Sequence, residues 1–132
     1  MSEENVELVK RGVEAWSRRD LDGWLADYAD DVEVVFPPDV PEPGPLRGRQ
    51  ELRAWAEAFL GAWEKFEVET LSVRQADDKV LVELRQRGHG RESGVQLDLV
   101  DFHVFTIRDG QVTRWEDYWN WADALEAAGL SE

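Results

Sequence analysis

Apolar residues near the N-terminus recur at helical spacing. In "SEENVELVKRGVEAWSRR", Val6, Val9, Val13 and Trp16 fall on one stripe. Ser2 is placed to cap this helix, acids occupy its first turn, and Arg18 and Arg19 its last. "DLDGWLADYA" gives a second helix with Asp20 as cap and Leu21, Trp24, Leu25 and Tyr28 as its apolar face. The period then changes. Val32, Val34 and Phe36 alternate with Glu33 and Val35, the pattern of a short strand, stopped by Pro37 and Pro38. "PPDVPEPGPLRG" holds all five prolines and reads as a loop. Helical spacing returns in "RQELRAWAEAFLGAW", with Leu52, Trp55, Ala56, Phe59 and Trp63 on one side.

Strand patterns dominate the rest. "FEVETLSVRQ" leads through Asp77 and Asp78 into "KVLVELRQRGHGRE". "SGVQLDLVDFHVFTI" follows, then an Asp109-Gly110 turn, then "QVTRWEDYWN". Short turns between long strands predict an antiparallel meander. "WADALEAAG" predicts a closing helix ending at Gly129. Helices segregated from an antiparallel sheet mean an α+β fold, here expected as a single domain over residues 1–132. Three helices of this size cover the apolar face only if the sheet curls around them.

Composition narrows the chemistry. Fifteen Lys+Arg against twenty-nine Asp+Glu give a net charge of -14, which repels nucleic acid and anionic membranes. The absence of cysteine removes disulfides and thiolate chemistry. The two histidines, His89 and His103, have no histidine or cysteine near them, which argues against a transition-metal site. "MSEENVELVK" lacks an apolar signal core, so the cytoplasm is the expected location. Seven tryptophans are many for 132 residues and must be buried or line something.

"DLDGWLADYADDVEVVFP", "PLRGRQELRAWAEAF", "HVFTIRDGQVTRWEDYW" and "ADALEAAGL", in that order, resemble the SnoaL-like branch of the nuclear-transport-factor-2-like superfamily. The resemblance implies a cone of curved antiparallel sheet with helices closing one side of a deep apolar pocket. It also implies a homodimer through the outer sheet face. It does not imply one activity, because the superfamily includes ketosteroid isomerase, polyketide cyclases, dehydratases, an epoxide hydrolase and non-catalytic domains.

Likeness to ketosteroid isomerase places His103 where that enzyme has its oxyanion-binding aspartic acid, which turns the His103 face inward. Val100, Phe102 and Val104 then fall to the dimer contact. The same likeness puts Phe36 at the base position and Gly12 at the tyrosine position, so steroid isomerisation by that mechanism is not expected. Arg85 and Arg87 have the wrong parity for an epoxide-hydrolase arrangement, and His89 shares their exposed face.

Within the pocket that the resemblance implies, parity sorts the strand residues and helical spacing the rest. Trp16, Trp24, Tyr28, Phe36, Phe59, Trp63, Phe105, Trp115 and Trp119 are its expected walls, with Trp63 and Trp119 suited to stacking on a flat ligand. Gln86, Asp101, His103 and Asp117 are its few polar groups, Asp101 expected near the rim. A plain hairpin at Asp109-Gly110 would set His103 opposite Glu116; a one-residue bulge sets it opposite Asp117, and the bulge is expected.

His103 is then general acid or base and Asp117 its orienter, or a base itself, with Gln86 or Tyr28 anchoring a carbonyl or hydroxyl. Such a site supports proton abstraction beside a carbonyl in a small apolar or aromatic molecule, with no cofactor and no metal. The alternative is a binding or dimerisation domain in which His103 only pins the hairpin. The proline-rich segment 37–47 is expected to border the pocket mouth.

Overall fold

Among the described residues, six strands form one curved, unclosed sheet in the order β2-β1-β6-β5-β4-β3. The computed structural model describes residues 2–37 and 44–130. In chain order the elements are α1 (Ser2–Ser17), α2 (Leu21–Leu25), β1 (Tyr28–Val35), β2 (Leu46–Arg47), α3 (Arg49–Gly61), β3 (Trp63–Ala76), β4 (Lys79–Gly90), β5 (Gln96–Arg108), β6 (Gln111–Tyr118) and α4 (Trp121–Ala128). All strand pairs are antiparallel except β1 with β6, which run parallel. Among the described residues, no helix is long and apolar enough to cross a membrane.

Several boundaries differ from the sequence reading. The Ser2 cap and the Pro38–Pro43 part of the proline-rich loop lie outside what is described. The far end of that loop is strand β2, which pairs with Glu33 and Val34. Tyr28 opens β1 and Trp63 opens β3, although helical spacing assigns each to the preceding helix. Both continue the apolar phase of a helix that stops a turn earlier, and periodicity alone carries no stop signal there.

The end of α1 is also earlier than expected. Arg19 adopts a left-handed backbone, φ 62°, beyond the helix. Its N–H donates to the Trp16 carbonyl and that of Asp20 to Ala15, so the last carbonyls are satisfied without glycine. The Arg19 guanidinium reaches across to the carbonyls of Leu60 and Trp63, at 3.2 and 2.9 Å. That bond pattern fastens α1 to the junction of α3 and β3. Asp20 caps α2 through Gly23 N–H, and Gly129, φ 73°, closes α4, both as the sequence predicts.

Strand parity divides the core in two. On the concave side, Val80, Val82 and Leu84 of β4 with Phe105 and Ile107 of β5 pack against α1, α2 and α3. On the other side, Leu81, Phe102 and Val104 pack against Ala124, Leu125 and Ala128 of α4. Phe102 and Val104 belong, with Val100, to the expected dimer contact. Val104 is fully buried and Phe102 8% exposed beneath a helix of their own chain, and only Val100, at 38%, stays open. His89, on the same outer side, is half-buried rather than exposed.

Candidate functional site

The β5–β6 hairpin positions the polar groups. Asp109 and Gly110 both have positive φ, 53° and 75°, the backbone of a tight two-residue turn. Arg108 pairs with Gln111 and Ile107 with Val112, but Thr106 pairs with Arg114. Thr113 is therefore the extra residue of a bulge, and beyond it His103 stands opposite Asp117. Glu116, one residue earlier, faces away and accepts a 2.5 Å bond from the Tyr118 hydroxyl. The register of β4 with β5 sets Val82 beside His103 and Leu84 beside Asp101.

These residues open onto a cavity of about 190 Å³ between the sheet and the helices. All the expected wall residues line it: Trp16, Trp24, Tyr28, Phe36, Phe59, Trp63, Phe105, Trp115 and Trp119, and so do Gln86, Asp101, His103 and Asp117. The walls form a continuous aromatic array. Trp16 lies parallel to Trp55 with ring centroids 5.9 Å apart, and Trp55 continues to Phe59 and Trp115. Sequence reasoning placed Trp55 on the right helical face but did not assign it to the pocket. It also missed Leu8, Val9, Leu97 and Leu99, which share the lining. Gly88 makes room for one wall: a Cβ there would sit 2.9 Å from the Trp63 ring. Trp119, 39% exposed, is the most open of the walls.

Asp101 is not at the rim. It is 2% exposed, accepting from Gln86 Nε2 at 2.8 Å and lying 2.9 Å from His103 Nε2. Gln86 thus spends its amide on Asp101 rather than on a ligand. The other ring nitrogen of His103 receives the Trp115 indole N–H at 3.0 Å. An indole only donates, so Nδ1 must offer a lone pair and the ring proton sits on Nε2, directed at Asp101. Trp115, His103 and Asp101 form one directional chain.

The electrostatics follow. Burial of Asp101 favours its acid form, but His103 and the bonds from His103, Asp117 and Gln86 outweigh that and hold its pKa below the ordinary carboxyl value. Burial works on Asp117 with less opposition. It and the negative Asp101 push Asp117 up to about 8, against the attraction of any charge on His103. Burial disfavours an imidazolium at His103, while Asp101 and Asp117 pull its pKa up past that penalty. The indole of Trp115 checks this pull, because a second ring proton would set N–H against N–H. A neutral His103 leaves Asp117 still more inclined to hold its proton.

Asp117 Oδ1 is 3.5 Å from His103 Nε2 and has no hydrogen-bond partner among the described residues. Tyr28 is buried against Trp24, ring centroids 5.3 Å apart, and burial keeps its phenol protonated well above the ordinary range.

Asp101, His103 and Asp117 bring potential ligand atoms within 4.8 Å of one another, a spacing a divalent cation would fit. The hydrogen bonds oppose it. A metal-bound imidazole donates through its other nitrogen. His103 accepts there, so its Nε2 carries the proton a metal would have to replace.

The curved sheet, the helices on its concave side and the cavity between them define a nuclear-transport-factor-2-like fold. Within that fold the chain belongs to the SnoaL-like domain family, whose model matches residues 9–115. Among solved structures it is similar to a protein of unknown function from Burkholderia pseudomallei K96243, with 24% identity, a TM-score of 0.80 and coverage of 97% of this chain and 98% of that one. A protein assigned as a SnoaL-like polyketide cyclase from Jannaschia sp. CCS1 gives 20%, 0.79, 99% and 95%. TerC, crystallised with polyporic acid, gives 22%, 0.77, 95% and 97%. No curated protein matches in sequence.

Proposed function

We propose that this protein is a cofactor-independent acid–base enzyme acting on a small, flat, carbonyl-bearing molecule, with Asp117 as the group that moves the proton. The observation that carries this reading is a buried carboxyl on the wall of an aromatic cavity, whose Oδ1 lacks a partner among the described residues, with burial raising its pKa to about 8. Acid–base catalysis works best when the catalytic pKa lies near the working pH. As the acid, Asp117 protonates a carbonyl oxygen. As the base, it takes a proton from the neighbouring carbon. Isomerisation, aldol-type cyclisation and dehydration share these steps. His103, with both nitrogens engaged, holds Asp101 in place rather than meeting the ligand. Tyr28 keeps its phenolic proton for a carbonyl or hydroxyl. Similarity to TerC, crystallised with polyporic acid, supports a small-molecule ligand, and similarity to the Jannaschia protein assigned as a polyketide cyclase supports catalysis on one.

The test is deuterium exchange at the carbon beside the carbonyl. A panel of aromatic ketones beginning with 2-tetralone is incubated in D2O and followed by NMR. Exchange accelerated by the wild type and lost in Asp117→Asn is the expected result. The engaged nitrogens of His103 also favour a second reading, binding without turnover. A panel member that binds, stays chemically unchanged and shows no accelerated exchange would establish that reading instead.

A further inference from the structure

We propose that Trp115 is a positioning residue that sets the tautomer of His103, and through it leaves the mobile proton of the site on Asp117. The proposal rests on the acid–base reading of Asp117 given above. Its geometry is independent of that reading. Trp115 is 5% exposed on β6, and its ring lies 5.2 Å from that of His103 and 6.2 Å from Phe105. Rings this closely packed leave the indole little freedom to turn away. Its N–H is aimed at Nδ1 at 3.0 Å, and Nε2 is aimed at Asp101 at 2.9 Å.

The consequences can be counted in protons. An indole N–H on Nδ1 leaves one proton for the imidazole, on Nε2, where it points at Asp101. Asp101 also accepts from Gln86, so it is the carboxylate best able to remain ionised. A second proton entering the cluster cannot stay on Nδ1 without breaking the indole bond, and the bonds from Gln86 and His103 favour Asp101 as the ionised carboxylate. Asp117, whose Oδ1 is without a hydrogen-bond partner among the described residues, is the acceptor left open to it. The charged groups acting on His103 are Asp101 on its own strand and Asp117 on the next. The neighbouring β4 residues are Val82, Leu84 and Gln86, and Asp27 on the cavity lining is tied to Arg11 at 3.0 Å. Without the indole, His103 is free to take the second proton. An imidazolium beside Asp117 would then favour its carboxylate.

The experiment starts with the wild-type protein. In a 15N-labelled sample, a through-hydrogen-bond coupling between the Trp115 indole nitrogen and His103 Nδ1, with the directly bonded proton on Nε2, is expected from pH 6 to 8. A proton found on Nδ1 across that range would overturn the proposal, whether or not the protein proves to be an enzyme. In Trp115→Phe, the coupling is lost by construction, and His103 is expected to take up its second proton near neutral pH. With an exchanging ketone in hand, kcat should fall by about tenfold or more, part of the range acid–base catalysis supplies. The pKa governing the exchange rate should move down, with KM little changed. A Trp115→Phe variant that folds, with an unchanged His103 protonation state and pH profile, would also overturn it. If that variant does not fold, the wild-type spectra decide.

Discussion

Asp117 faces His103 across the β5–β6 hairpin, 3.5 Å from its Nε2, while Glu116 points to the opposite side of the sheet. Adjacent carboxylates therefore have different environments, and their removal should have different consequences. The Asp117 pKa is raised by burial and by Asp101, from an ordinary 3.8 to about 8. The folded state then binds this proton more tightly than the unfolded chain. Its stabilising contribution is complete below the unfolded pKa and is lost as pH rises through about 8. Wild-type stability should fall across that window relative to Asp117→Asn, with a slope of up to about 1.4 kcal/mol per pH unit for one proton. Urea midpoints at several pH values between 5 and 9 measure it. Glu116→Gln, which alters the Tyr118 bond on the outer side, should leave the Asp117 contribution in place. Parallel curves for wild type and Asp117→Asn would mean that Asp117 is not the buried acid described here.

Much of this site is legible in the sequence because it depends on parity. Alternation groups His103 with Phe105 on β5 and Trp115 with Asp117 on β6, and likeness to ketosteroid isomerase turns the His103 face inward. The bulge at Thr113 is legible too, since without it the apolar faces of the hairpin would not share a side. What escapes is whatever depends on a neighbouring element. The hydrogen bonds that hold Asp101 come from Gln86 on β4 and His103 on its own strand. The tautomer of His103 comes from the rotamer of Trp115. Parity also gives Phe102 and Val104 an outward face correctly, but it does not say what lies on that face.

The outer face carries the second prediction. Val100 and Val104 share one side of β5, yet Val104 is fully buried in a cluster with α4 and Val100 is 38% exposed. Val104→Ala should cost roughly 1–3 kcal/mol, because the space left beneath a packed helix closes only in part. Val100→Ala should stay within about 0.5 kcal/mol in the isolated chain. Denaturant unfolding at low protein concentration separates the two. A large cost at Val100 that grows with protein concentration would reveal a partner chain on the open part of this face.

Gly12 gives the last prediction. It lies in the interior of α1, where glycine costs about 1 kcal/mol relative to alanine, and among the described residues nothing lies within 4 Å of where its Cβ would be. No steric conflict accounts for it. Gly12 does line the cavity, together with Val9, Val13 and Trp16 of the same helix. Its missing side chain is therefore cavity volume. Gly12→Ala should raise stability by roughly 0.5–1 kcal/mol. Gly12→Leu should also fold, but its side chain would enter a space of only about 190 Å³. Binding followed by quenching of tryptophan fluorescence should then weaken more for 2-tetralone than for a single-ring ketone such as acetophenone. Equal losses for both would place the ligand away from α1 and make Gly12 a helix defect without a role in selecting size.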